Sequence, residues 1–463
     1  MGRRRRWTPA KRKRARRKAE AALRERRRII HASQARADTS YAGMVPLVEY
    51  ARQGLKLEGR LQRGLHMKKG RNAVYSPLNE AMAYLGCQVT GILRLNHIDQ
   101  LLPESAVAQA LNLPQWMSEN TQQRFLKRAT EETLAGIDGI AQRLIVDEEL
   151  QERPLAPIEV DGDVTGVPQR ARKREGVKPG YCEGRARPCY QQPRVTVNGL
   201  SWWTDLRPGN DASMDLPERT LKTGSRLARE YPNREIFCRL DGYWASRATL
   251  RMYQEGAREQ ENLEFLLPIH SNYMKGQPWE DLVAEGQSAW KRVNSTTRIK
   301  ELGRVRPWGD DTEPVRAVAV WREEKRKGKR GRTVTKVLRY LIAVSVERKR
   351  LGTLAVFRRY HQRQREEFSF KDGKQSLSTA KMPTMKLMAN RMHVKMVALA
   401  QVMMRLFARK FVPHPGPYGP TCKTIREKVV AVGGKNTAGP RRRDQPDLLR
   451  IPLATVPTGQ SDR

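Results

Sequence analysis

Ile158-Glu159-Val160-Asp161-Gly162-Asp163-Val164 alternates apolar and acidic residues. That is the period-two pattern of a β-strand, so Glu159, Asp161 and Asp163 fall on one face. A basic Gly/Pro loop follows over 169–193, then a second β-like run, Arg194 to Trp203. Helical spacing returns from Leu216 to Glu230. Next comes an apolar strand, Glu235-Ile236-Phe237-Cys238-Arg239-Leu240, which ends on Asp241-Gly242-Tyr243-Trp244 before another helix begins. The order strand, strand, helix, strand, helix predicts a mixed α/β fold with a site at the strand ends, where Asp241 and either Asp161 or Asp163 would meet.

Toward the N-terminus, apolar residues recur at three and four spacing from Tyr41 to about Ile145, as in Leu57-x3-Leu61-x3-Leu65, and predict helices. Within this region Leu102 to Leu126 reads as helix, Leu-Pro turn, helix, with Ser118 as the N-cap of the second. Thr121, Gln122 and Arg124 on that second helix are candidates for a helix-turn-helix reader of DNA, with an ordinary helical hairpin as the alternative. Before it lies an Arg/Lys-dense arm that opens Gly2-Arg3-Arg4-Arg5-Arg6-Trp7. The composition agrees: 463 residues carry 89 Lys and Arg against 49 Asp and Glu, a formal charge of +40. Such a chain repels itself unless a polyanion neutralises it, and nucleic acid is the expected partner. No run approaches eighteen apolar residues and no hydrophobic segment follows the basic start, so neither a span nor a signal peptide is expected.

Toward the C-terminus, residues 273–345 are rich in tryptophan (Trp279, Trp290, Trp308, Trp321) and include two strand-like stretches, Val315 to Arg322 and Val334 to Val346, joined by a basic turn. Helix resumes at Leu354 and carries Tyr360-x2-Arg363-x3-Glu367-x6-Lys374. At 100° per residue these four lie within roughly 60° of one another, a stripe about 21 Å long on a continuous helix. One acid among two cations and a phenol suits a carboxylate that holds a metal while its neighbours grip phosphates. The Met-rich segment Met385 to Phe411 is expected to fill core gaps, and the Pro/Gly-rich stretch after Pro413 to form a loose tail.

Five scattered cysteines with no C-x2-C pair are read as reduced thiols. Two aspartates on neighbouring strands and a later glutamate supply hard oxygen ligands suited to Mg²⁺ or Mn²⁺. A pair of such ions activates a water or 3′-hydroxyl and stabilises the leaving oxygen, with no protein nucleophile required. The chain contains no H-x2-R pair, no G-x4-G-K-[ST] loop and no G-x-S-x-G elbow.

The spacing of Tyr360, Arg363, Glu367 and Lys374 resembles the Y-(2)-R-(3)-E-(6)-K signature of DDE transposases of bacterial insertion sequences. Asp163-Val164-Thr165-Gly166, Asp241-Gly242-Tyr243 and the long β-rich insertion resemble the same group. The resemblance implies a ribonuclease-H-like catalytic fold with an insertion, two-metal catalysis and cut-and-paste movement of DNA. By it, Asp241 and Glu367 are metal ligands together with Asp163 or Asp161, and Tyr360, Arg363 and Lys374 grip transposon-end phosphates. Trp290, Trp308 and Trp321 become candidates for stacking on a flipped base. The implied organisation is a basic disordered arm (1–30), a helical DNA-binding region (31–150, candidate helix-turn-helix 102–130), the catalytic core in two parts (155–272 and 347–412), an insertion (273–346) and a basic tail (413–463). Expected partners are double-stranded DNA, namely terminal inverted repeats and target DNA, bound by a homodimer without any membrane, in a bacterial cytoplasm and at the nucleoid. The rival expectations are a non-catalytic DNA-binding descendant and a metal-dependent nuclease without strand transfer.

Overall fold

The structure, a computed structural model, describes residues 38–435 except 71–72, 102–103, 114, 275–277, 287, 310–312, 328–332, 413, 415–418 and 432–433. The basic arm, the tip of the basic turn and much of the tail lie outside the described residues. The apolar spacing over 41–145 produces α1 (Met44–Glu49), α2 (Leu57–Gly64), α3 (Pro77–Thr90), α4 (Ser105–Ala110), α5 (Glu119–Lys127) and α6 (Glu131–Ile145). α3 starts on a capping box: the Ser76 hydroxyl accepts from the Asn79 amide, and the Asn79 side chain accepts from the Ser76 amide. It stops at Gly91, whose φ of 90° is left-handed. Ser118 stands at the N-cap position of α5, but its hydroxyl meets that of Thr121 rather than a backbone amide.

The acidic strand forms and extends to β1 (Ile158–Pro168). There follow β2 (Lys178–Cys182), β3 (Arg185–Val197), β4 (Leu200–Thr204), β5 (Arg207–Pro208), α7 (Leu216–Glu230), β6 (Ile236–Leu240), α8 (Arg247–Glu259) and β7 (Leu263–His270). Two readings from the sequence change here. The run from Arg194 to Trp203 is not one strand, because Asn198 and Gly199 both take positive φ (51° and 74°) and turn β3 back as β4. The stretch 169–193, expected as a loop, is mostly the β2–β3 hairpin, closed by Glu183 and Gly184 at φ 52° and 80°.

Beyond β7 come a short helix α9 (Trp279–Ala284) and the antiparallel strands β8 (Lys291–Asn294), β9 (Thr297–Val305), β10 (Val315–Lys327) and β11 (Thr333–Val344). β11 pairs with β7, from Tyr340 opposite His270 to Val344 opposite Leu266, so the segment 273–346 prolongs the central sheet. The result is one mixed 11-stranded sheet ordered β2-β3-β1-β6-β7-β11-β10-β9-β8, with β4 and β5 both paired to β3. β1, β6 and β7 run parallel in its middle.

α10 (Thr353–His361), α11 (Gln364–Ser376) and α12 (Leu387–Phe411) follow. The stretch after Pro413, expected as a loose tail, is in part folded: the short helix Cys422–Ile425 packs on α11 and α12 with Cys422 and Ile425 buried, and Gly434–Lys435 pairs with Asp38–Thr39. α7 packs on β1 and β6, while α10 and α11 lie toward the face that carries Asp161, Asp163 and Arg239. α12 runs between the N-terminal helices and β4. Its Met392, Met396 and Met404 are fully buried, the gap-filling role that the soft thioether suits. Among the described residues no helix is long and apolar enough to cross a membrane.

Gly162 lets α7 approach the acidic strand. A Cβ there would stand 2.3 Å from Thr220 Oγ1 and 2.7 Å from Leu240 Cδ2. Gly162→Ala should therefore cost about 1–3 kcal/mol by overpacking, read as a lower denaturant midpoint with an unchanged slope; an unchanged midpoint would disprove the close approach.

Candidate functional site

Because β1 and β6 are parallel and in register, with Asp161 opposite Arg239, their C-terminal ends open on the same side. Asp163 leaves the interior of β1 there, and Asp241 follows the last residue of β6 and accepts a 3.4 Å bond from the Tyr243 amide. The third acid arrives on α11. The signature stripe does not lie on one continuous α-helix, contrary to the sequence reading. Gln362 and Arg363 form a tight turn between α10 and α11, in which Arg363 donates to Tyr360 O (3.1 Å) and Arg365 to Gln362 O (3.0 Å). No proline or glycine forces that turn. What accompanies it is the capture of the Arg363 side chain by three carboxylates, a tertiary contact that local spacing does not encode.

Arg363 is the centre of the site. Its Nη1 donates to Asp163 Oδ2 at 2.9 Å, and its Nη2 donates to Asp241 Oδ2 at 3.3 Å and to Glu367 Oε1 at 3.2 Å. Asp163 and Arg363 are buried, whereas the Asp241 and Glu367 side chains keep 43% and 60% of their exposure, so the cluster opens to solvent on one side only. Burial pushes the Asp163 carboxyl up to about 6, with Arg363 opposing the rise. Burial also works against the charge of Arg363, but Asp163 and the other acids hold its pKa well above the usual value, so the pair is ionised at neutral pH.

Asp161 has a different partner. Its carboxylate takes two bonds from Arg239, Nε to Oδ1 at 2.6 Å and Nη2 to Oδ2 at 2.8 Å. Arg239 also bonds Glu159 Oε2 (2.9 Å) and the Arg359 carbonyl (2.5 Å). All three charged groups are buried beneath α10. One strand face thus divides into an inner ion cluster, Glu159–Asp161–Arg239, and an outer one at the mouth, Asp163–Asp241–Glu367–Arg363.

The other expected contacts with DNA are placed as follows. Tyr360 is buried, and burial raises its phenol pKa. Lys374 Nζ donates inward, to Thr165 Oγ1 (2.7 Å) and Gly166 O (2.8 Å), which ties α11 to β1 beside Asp163. Trp308 is buried with its indole N–H on the Tyr273 carbonyl at 2.9 Å. Trp290 is half-buried against the core, and Trp321 is half-buried with the Arg298 guanidinium 5.3 Å from its ring centre. On α5, Arg124 is exposed and Thr121 half-buried, but Gln122 is fully buried against Met117 and cannot reach a base edge. It faces inward because α5 packs on α3 and α12.

Two residues not singled out by the sequence pattern flank the cluster. Glu366 is fully buried, and burial pushes its carboxyl up to about 8 against the opposing charge of Arg194 and the hydroxyl of Thr196. Arg194, also buried, donates to Ser369 Oγ at 3.0 Å. Adjacent helical residues point about 100° apart, so the Glu366-Glu367 doublet was the available clue that one acid turns inward.

Among the described residues no three Asp, Glu, His or Cys side chains stand close enough to close on one ion. Asp163, Asp241 and Glu367 instead share one guanidinium as their common cation. Their donor chemistry, three carboxylates at the open end of parallel strands, fits a hard divalent ion.

A family profile described as transposase DDE domain group 1 matches residues 22–444. Among solved structures the chain is similar to the piggyBac transposase in a synaptic complex with hairpin DNA, at 13% identity and a TM-score of 0.36, over 83% of this chain and 76% of that one. A search of curated proteins finds no match. With the profile spanning nearly the whole chain, the protein belongs to the DDE transposases, in DDE domain group 1.

Proposed function

We propose that this transposase binds the ends of a mobile DNA element, cleaves them and joins them to a target, using divalent metal at Asp163, Asp241 and Glu367. The observation that carries the reading is the meeting of these three carboxylates, from β1, the end of β6 and α11, around one cation at an open strand end. DDE transposases generally use divalent ions, and Mg²⁺ or Mn²⁺, two per site, suits the all-oxygen donor set. Bound there, such ions supply an activated water or 3′-hydroxyl and stabilise the leaving oxygen. The ribonuclease-H-like reading is supported by the strand order β4-β3-β1-β6-β7, two antiparallel steps followed by two parallel ones.

Roles for this chain's residues follow from their contacts. Arg363 holds the three acids together while no other cation neutralises them. Lys374 braces α11 on β1, so that Glu367 and Asp163 keep their spacing. Asp161 supports the strand from beneath and is assigned no metal. DNA gripping falls to exposed cations such as Arg124 in the helical region, and a dimer assembled on DNA completes the reading.

Incubation of the protein with linear DNA bearing its terminal inverted repeats, a target plasmid and Mg²⁺ is expected to yield joined product. Cut ends without joining would favour a nuclease. A gel shift with no cutting under any divalent ion tried would leave only a DNA-binding protein.

A further inference from the structure

Where β1 leaves the catalytic end, an open hollow of about 610 Å³ lies between the 169–174 stretch and the β2–β3 hairpin. Arg170, Arg172, Arg185 and Arg187 line it, with Glu183 as the one acid and Pro168 at its base. Arg170, Arg172 and Arg185 are exposed, and among the described residues the ion pair of this hollow is that of Arg187 with Glu183. Four guanidiniums against one carboxylate leave the hollow with a net positive charge that a polyanion would neutralise.

The frame beneath them is firm. The Glu183-Gly184 turn closes the hairpin, and Arg185 and Arg187, two apart on β3, share a face. On the opposite wall the Gln169 amide donates to Pro188 O at 3.0 Å. Arg174 turns inward, bonding Gln169 Oε1 (2.7 Å) and Met382 O (2.9 Å), and so fixes the stretch that projects Arg170 and Arg172 outward. Two braced elements thus present cations to one gap.

Position supplies the rest. Asp163 and Pro168 lie on the same strand, five residues apart, about 17 Å at ~3.3 Å per residue. Lys374 sits between them on Thr165 and Gly166. That separation is about five steps of a duplex at 3.4 Å per step.

We infer that this four-arginine hollow is a phosphate-backbone site which holds duplex DNA a few base pairs from the bond being cut. The inference rests on the DNA-processing reading above. It adds a contact surface that belongs neither to the helical region nor to the signature stripe. Guanidinium forks matched to phosphate oxygens would bind without regard to sequence and set the register of the strand over Asp163, Asp241 and Glu367.

The test compares full-length wild type with the triple variant R170Q/R172Q/R185Q and with a charge-matched control, Arg229→Gln, Arg348→Gln and Lys349→Gln, whose residues are exposed elsewhere. Binding of a fluorescein-labelled random-sequence DNA duplex is titrated at several salt concentrations. Loss of three phosphate contacts should flatten the log–log salt slope by roughly 2–3 and weaken binding about tenfold or more at low salt, with the control close to wild type. Circular dichroism should be unaltered, since none of the three side chains is buried. A hollow variant that binds like wild type, or a control that falls equally, overturns the site, as would tighter retention of an RNA duplex of the same sequence. Absence of binding by wild type itself would instead sink the DNA-processing reading.

Discussion

Asp163→Asn is expected to remove strand cleavage and joining by at least about a thousandfold, on the order of 4 kcal/mol of barrier, while leaving the protein folded. Asp161→Asn should do the reverse. Asp163 stands at the solvent-open mouth with Asp241 and Glu367, and it shares their cation. Asp161 is fully buried on Arg239, which also holds Glu159. Neutralising Asp161 leaves Arg239 short of a charge partner in the interior, a loss of about 3 kcal/mol for a broken buried pair. Denaturant midpoints and single-turnover cleavage with Mn²⁺, measured on both variants, separate the roles. Loss of cleavage by Asp161→Asn at unchanged stability would reverse the assignment.

Arg363→Ala should destabilise the metal-free protein by about 3 kcal/mol, because Asp163 would stay buried beside two more carboxylates without its cation and would have to take up a proton. A divalent ion that occupies the same acids then replaces the lost charge. Melting temperature in EDTA and in Mn²⁺ is the measurement, and it needs no turnover. The Mn²⁺-induced rise should be clearly larger in the variant than in wild type, where the guanidinium competes for the same oxygens. Equal rises in the two proteins would mean that Arg363 and the ion do not share a place.

Much of the site was legible because strand period and helix spacing are local properties. Alternation over 158–164 placed Asp161 and Asp163 on one face, and both are there. The apolar strand before Asp241 formed where its composition put it. Glu367 stood out by its spacing from Tyr360, Arg363 and Lys374. Less legible was anything that depends on a partner distant in sequence. Asn198-Gly199 announced a hairpin that an unbroken β-like composition concealed, and the turn at Gln362-Arg363 carries no breaker at all. Gln122 sits on a helix face that only the packing of α3 and α12 turns inward.

The sequence by itself determined the order of elements, the acids available and the charge that calls for a polyanion, since periodicity and composition act between near neighbours or over the whole chain. Only the tertiary structure decided which aspartate faces the mouth and where the signature cations point. Asp161 and Asp163 are equivalent in period and chemistry. They differ because Arg239 arrives beside one from β6 and Arg363 beside the other from the α10–α11 turn, 78 and 200 residues away. A buried carboxylate takes whichever cation the fold delivers, and that delivery is a long-range event no local pattern contains.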